Sequence, residues 1–268
     1  FGIAQIGKAF RNEITVKNFL FRTREFEQMD VQYFCRPEDA DRYYEEWKEN
    51  RLQFYTQYMR FAPEHIHWRQ HEADERAFYA KDAWDVEFQF AEMGFKEIEG
   101  VHHRGSYDLD QHSKFSGQDL RYFDQGKGER FNPFIIECSG GFNRLFLATL
   151  FEFYREEKER TVLAFPPRFA PYKVAVFPLL KNKPQLVEKA RSIYQDLKKQ
   201  FAVTWDERGN IGKRYYAQDE IGTPLCVTVD FDSLEDHAVT VRDRDSMQQE
   251  RISLVGLKEY ITKKLYAE

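Results

Sequence analysis

Arginine, glutamate and aromatic residues stand near the start of this chain in a spacing that suits phosphate chemistry. Phe10-Arg11-Asn12-Glu13 is followed nine residues later by Arg22-Thr23-Arg24-Glu25-Phe26. A guanidinium presents a planar fork of N–H donors that matches phosphate oxygens. A flat apolar ring supports a purine, and a carboxylate accepts from an exocyclic amino group. A bent nucleoside triphosphate needs these three things together. A second group, Phe142-Asn143-Arg144, follows the pair Gly140-Gly141 and precedes the apolar run Leu145 to Phe151. Glu97 closes a charged stretch, and Asp30, Arg104, Glu137 and Ser139 supply further polar groups.

These residues need strands and one helix to hold them. Residues 1 to 34 read as strands at Ile14–Val16, Phe19–Phe21 and Met29–Phe34, the first two joined by a turn at Lys17-Asn18. Pro37-Glu38-Asp39-Ala40 has the marks of a helix start, with proline early and acids in the first turn. Helical apolar spacing continues through Tyr44, Trp47, Leu52 and Tyr55. Residues 62–80 are charged and read as a loop. Asp85–Phe90 and Lys96–Val101 read as strands. Asn132–Glu137 reads as a strand that ends in a flexible Ser139-Gly140-Gly141. Beyond Pro166-Pro167 the pattern changes to short apolar strands alternating with helices: strands at Lys173–Phe177, Val203–Trp205, Leu225–Val229 and Ala238–Arg242. The helices fall at Pro184–Lys199, Gly212–Gln218 and Leu254–Leu265. This order indicates a separate α/β domain.

The bulk numbers set bounds. A chain of 268 residues has room for two domains. Its 42% hydrophobic and 32% charged content is that of a globular protein, and no run of apolar residues is long enough for a membrane helix. Cys35, Cys138 and Cys226 lie far apart, with no Cys/His spacing that suggests zinc. With no secretory signal, a cytoplasmic location is expected. The net charge of -5 neither supports nor excludes an RNA partner.

The arginine segments resemble motifs 2 and 3 of the class II aminoacyl-tRNA synthetases. Motif 2 has Phe-Arg-x-Glu, a loop, then Arg-x-x-x-Phe, and both halves stand here at Phe10–Glu13 and Arg22–Phe26. Four further blocks are similar to the glycyl-tRNA synthetase family: Phe1–Ala9, Arg24–Met29, Glu99–Arg104 with Tyr107-Asp108-Leu109 and His112, and Glu137-Cys138-Ser139. The resemblance implies a class II antiparallel-sheet catalytic core over 1–166, incomplete at its N-terminus and carrying an insert at about 35–90. An α/β anticodon-binding domain with a mixed sheet over 167–268 would follow. Arg11 would bind the ATP α-phosphate, Glu13 the adenine amino group and Arg22 the γ-phosphate. Phe26 would stack under adenine and Arg144 cover its other face, so that Arg11 and Arg144 are the expected catalytic residues. Asn12, Phe21 and Ile98 complete the expected ATP set, and Glu97 would hold Mg²⁺.

For glycine, the resemblance places Asp30 and Glu137 around the ammonium, Arg104 at the carboxylate, Ser139 near the α-carbon and Gln28 beside them. A substrate with no side chain offers no apolar handle, so selection must come from acids at the ammonium and atoms crowding Cα. The sequence departs from the family where Asp30 stands for a longer Glu, Cys138 for Pro and Asn143 for an acid. Cys138 with a neighbouring histidine could be read as a nucleophile, but no oxyanion-hole pattern accompanies it. In the second domain, Gly209–Tyr215, Gly222-Thr223-Pro224 and Thr240–Asp245 resemble the anticodon-binding module. Lys213, Arg214 and Tyr215 are its expected tRNA contacts, while Arg242 and Arg244 fit either RNA or a salt-bridged strand end. Motif 1, which builds the family's homodimer, and a further glycine-facing acid are not in the 268 residues, so the piece alone is expected to be inactive. The implied activity is ATP-dependent charging of glycine onto tRNA(Gly). The alternative, a non-catalytic relative of the polymerase accessory type, predicts loss of the ATP-site arginines, and these are present.

Overall fold

The computed structural model describes residues 1–266, and the chain divides into two compact units, Phe1–Glu152 and Phe153–Glu268. In the first, strands β1 (Gly2–Phe10) and β2 (Glu25–Cys35) precede helix α1 (Ala40–Gln53). Strands β3 (Ile66–Gln70), β4 (Asp82–Gln89) and β5 (Phe95–Gly105) follow, then helix α2 (Tyr107–Ser116) and the small hairpin β6 (Tyr122–Asp124) and β7 (Glu129–Phe131). Strand β8 (Phe134–Gly141) runs directly into helix α3 (Phe142–Phe153). The main sheet has the order β1-β2-β8-β5-β4-β3, every pair antiparallel.

Side chains alternate across such a sheet, and the two faces are chemically different. Val31 and Tyr33 of β2, Ile136 and Cys138 of β8 and Val101 of β5 pack with Tyr44 and Trp47 of α1. The register sets Gln28, Asp30 and Gln32 beside Gly141, Ser139 and Glu137, and Glu137 beside His102, so the opposite face is polar. Helix α1 is fastened where its stripe ends. The Arg51 guanidinium pairs with both oxygens of the buried Glu99 at 2.5 and 2.8 Å, and the Tyr55 hydroxyl donates to the same carboxylate.

Several sequence-based expectations are corrected here. The strand before motif 2 is Gly2–Phe10, in register with β2 from Gly2↔Tyr33 to Phe10↔Glu25. Ile14–Val16 forms no strand, and Ile14 is 95% exposed. Phe19–Phe21 is a single 3₁₀ turn entered through Asn18 at φ 57°. Ser139-Gly140-Gly141 is not a flexible tail: it is hydrogen-bonded strand, held between β2 and β5. Residues 62–80, read as a loop, contain β3. The hairpin β6–β7 had no visible signal.

The second unit opens with a short hairpin, β9 (Tyr154–Glu156) and β10 (Thr161–Leu163). There follow β11 (Val174–Pro178), α4 (Pro184–Leu197), β12 (Val203–Trp205), α5 (Ile211–Glu220), β13 (Leu225–Val229), β14 (Ala238–Asp243), β15 (Gln249–Ser253) and α6 (Leu257–Tyr266). The sheet order is β12-β11-β13-β14-β15, parallel across the first three strands and antiparallel beyond. This is the expected mixed sheet with one strand more, β15. Val174, Val176 and Val227 pack with Leu186 of α4 and Ile261 of α6; Ala175, Phe177 and Cys226 face Tyr215 of α5.

Helix α5 buries a polar face. Asp219 is fully buried and accepts from both arms of Arg242 at 2.8 and 2.9 Å and from Arg160 at 2.8 Å. Arg244 donates to the carbonyls of Leu163, Gly222 and Phe165. Gly222 sits at φ +81°, and a Cβ there would lie 2.8 Å from the Leu163 oxygen, so only glycine lets the two backbones meet.

Candidate active site

A cleft opens on the polar face of the first sheet, where the turn after β1 meets the start of α3. Arg11, Glu13, Phe21, Arg22, Phe26, Gln28, Glu97, Ser139 and Arg144 all line it. Residues 133 positions apart in the chain thus share one wall, because β2 and β8 are neighbours and both end here. Leu20, Thr23, Glu27, Gly141 and Asn143 complete the lining.

The cations are held by backbone and ring contacts, and two of them, Arg22 and Arg144, also by carboxylates. Arg11 leaves β1 as its backbone N–H donates to the Arg24 carbonyl at 3.0 Å, and its guanidinium lies 5.5 Å from the Phe26 ring centroid. Arg22 is half-exposed and 3.6 Å from the Glu13 carboxylate. Arg24, two positions after Arg22, points elsewhere and donates to the carbonyls of Glu13 and Ile14. Arg144 stands on the first turn of α3. It donates to the Glu97 carbonyl at 2.8 Å, the Glu97 carboxylate at 3.0 Å and the Phe21 carbonyl at 2.9 Å. Its guanidinium also lies 5.5 Å from the Phe21 ring centroid. Asn143, an acid in the family pattern, accepts from the Glu27 backbone N–H at 2.8 Å and so ties α3 to β2.

Asp30, Arg104 and Glu137 stand on the same sheet face, beyond the cleft wall. Gln28 donates to Ser139 and, at 3.2 Å, to Asp30. Glu137 Oε1 accepts from Gln32 and from Arg104, each at 2.6 Å, and Oε2 lies 3.0 Å from His102 Nδ1. Burial pushes the Glu137 carboxyl up, but the hydrogen bonds from His102 and Gln32 and the charge of Arg104 outweigh it and bring the pKa to about 2. Arg104 is also bidentate to Asp108 at 2.9 and 3.0 Å and lies 4.1 Å from the Tyr79 ring centroid. Farther along, His71 Nε2 is 2.8 Å from Asp85.

Four expected site residues are placed otherwise. Ile98 is buried and Asn12 lies off the cleft lining. Arg214 and Tyr215, expected at RNA, are buried: Arg214 donates to the carbonyls of Pro178 and Leu179, and the Tyr215 hydroxyl meets Thr228 at 2.7 Å. Lys213, next to them, is exposed. Arg242 and Arg244 are buried structural cations. Cys138 faces α1, away from the cleft, and burial pushes its thiol up. Gln32 and His102 are the residues that sequence reasoning missed as parts of the site. Each lies two positions from an expected residue, Asp30 and Arg104, and period-2 alternation alone would have found them.

A family model described as the tRNA synthetase class II core domain (G, H, P, S and T) matches residues 1–154, and this chain belongs to that family. A second, the anticodon binding domain, matches residues 173–264. The chain is 50% identical over 268 residues to the glycine--tRNA ligase of Borreliella afzelii and 52% identical over 262 residues to that of Treponema denticola. It is 47% identical over 276 aligned positions to the Streptomyces coelicolor enzyme of the same name. These alignments cover 97%, 94% and 99% of the chain, and 60%, 57% and 60% of the respective relatives. The chain therefore spans about three fifths of the length of these proteins.

Proposed function

We propose that these residues form most of the site in which glycine is activated by ATP and then passed to tRNA(Gly). The observation that carries the proposal is the convergence of Arg11, Arg22, Arg144 and Phe26 on one cleft, with the carboxylates Asp30 and Glu137 beside it. The glycine carboxylate attacks the α-phosphorus and pyrophosphate leaves. Charge accumulates on the phosphoryl oxygens as it does so, and a preorganised guanidinium at Arg11 stabilises that charge. Phe26 supports the adenine ring and Arg144 covers its other face. Arg22 meets the terminal phosphate, and the second product is glycyl-adenylate.

Magnesium takes most of its ligands from triphosphate and water and needs only one or two carboxylates. Glu97 fits this role. It is exposed, lines the cleft, and gives its Oε2 to Arg144. The ion would screen phosphate charge. Among the described residues no cluster of three His, Cys, Asp or Glu side chains is arranged to hold a metal by itself.

Glycine selection in this proposal rests on acids at the ammonium, Glu137 and Asp30, and on Ser139 beside Cα. The second unit would read the tRNA anticodon, with Lys213 as the exposed cation retained from the expected set. A cytoplasmic homodimer completes the proposal; among the described residues no helix is long and apolar enough to cross a membrane. Retention of the arginines in one cleft argues against a non-catalytic relative.

The test is glycine-dependent exchange of labelled pyrophosphate into ATP, in a protein that carries these residues at the full length of the relatives. Arg11→Ala is expected to lower exchange about a hundredfold or more while tRNA binding persists. Undiminished exchange in that variant would sink the mechanism.

A further inference from the structure

The polar face of the first sheet is ordered in rows across its strands. One row runs Gln32, Glu137, His102, and the next runs Asp30, Ser139, Gly100, Asp85. In the first row, Glu137 is the central acceptor. A carboxylate offers about four acceptor positions, two on each oxygen. Gln32 and Arg104 take both on Oε1, and His102 takes one on Oε2. An incoming ammonium therefore meets Oε2, the oxygen that His102 shares.

An ionised carboxylate only accepts, so His102 Nδ1 carries the hydrogen. The other ring nitrogen has a different environment. A Cβ built on Gly100 would stand 2.8 Å from His102 Nε2, 3.0 Å from Cε1 and 3.5 Å from Asp85 Oδ1. The Nε2–Cε1 edge of the imidazole thus occupies the space beside Gly100 that any side chain there would fill. Gly100 and His102 act as one device on β5.

We propose that His102 is a positioning residue for glycine binding: its Nδ1–H orients Glu137 Oε2 toward the substrate ammonium, and Gly100 provides the floor that keeps the ring in place. The proposal rests on the reading of Glu137 as the ammonium acceptor. Loss of one hydrogen bond to a charged group weakens the contact that depends on it by about tenfold. His102→Ala should accordingly raise the KM for glycine about tenfold in pyrophosphate exchange, with the KM for ATP unchanged.

Rescue separates positioning from general structural damage. The amide nitrogen of Asn stands where Nδ1 stands, whereas that of Gln reaches the Nε2 position. His102→Asn should recover most of the glycine affinity and His102→Gln should not. Gly100→Ala, which pushes the ring aside and leaves Glu137 intact, should reproduce the His102→Ala phenotype. An unchanged glycine KM in His102→Ala, or Asn no better than Gln, overturns the proposal. Long-range ¹H–¹⁵N correlation on the labelled protein at neutral pH tests the geometry without activity. A hydrogen on Nδ1 is expected, and an imidazole protonated on Nε2 alone refutes the assignment. Absence of glycine-dependent exchange in the unmodified full-length protein counts against the proposed function instead, and the spectrum then decides the tautomer by itself.

Discussion

Arg144 Nη2 donates to the Phe21 carbonyl at 2.9 Å, across 123 positions of sequence. The same guanidinium holds the carbonyl and carboxylate of Glu97. One planar fork therefore fastens the turn after β1 to β5 in the lining of the cleft. The cleft is built around this side chain.

Arg144→Lys keeps the charge and loses the fork. Lysine supplies a point charge that cannot bridge two carbonyls and cover a ring at once. Pyrophosphate exchange should fall about a hundredfold in Arg144→Lys, nearly as far as in Arg144→Ala. Exchange close to wild type in the lysine variant would show that charge alone suffices.

Glu137 makes stability depend on acid. Its folded pKa, about 2, lies below the ordinary carboxylate value. A depressed carboxylate contributes stability above its unfolded pKa, and that contribution is lost as pH falls through the folded value. The contribution is on the order of 3 kcal/mol at neutral pH for a shift of this size. Urea unfolding followed from pH 7 toward pH 3 should show wild type losing its advantage over Glu137→Gln. Parallel pH profiles for the two proteins would contradict this origin of the shift.

Lys213 and Arg214 are adjacent, but they should behave in opposite ways. Lys213 is exposed on the first turn of α5, where its backbone N–H is capped by Asn210. Arg214 is buried against the carbonyls that end β11. Lys213→Ala should leave the melting temperature unchanged and weaken tRNA binding with a shallower salt dependence. Arg214→Ala should destabilise the second unit by about 2 kcal/mol or more, through unsatisfied buried carbonyls. Calorimetry and filter binding at two salt concentrations distinguish the pair; equal melting temperatures would contradict the structural role of Arg214.

What could be read from residues alone follows from which residues carry ordinary signals. The cleft arginines stand in short, fixed spacings, and the second sheet is built of apolar strands, so both were visible. Strand β1 was missed because it is an edge strand, exposed over nearly its whole length, and shows no buried alternation. Arg214, Tyr215, Gln218 and Asp219 have helical spacing, but the inward face they form is polar. A buried arginine and a surface arginine are the same letter, and only the carbonyls around it tell them apart. Glu137 was visible as an acid near the pocket. Its three donors come from β2 and β5, so their convergence depends on register.

The hairpin β9–β10 lies before residue 173, where the match to the anticodon domain begins. Even so, Arg160 from its turn completes the cation pair on Asp219, and Leu163 and the following Phe165 accept from Arg244. The heritable module is therefore longer than the recognisable one. Any recombination event, natural or engineered, that moved the domain without residues 153–172 would deliver a fold with a buried carboxylate one guanidinium short. The seam along which this chain can be exchanged between proteins lies ahead of the hairpin.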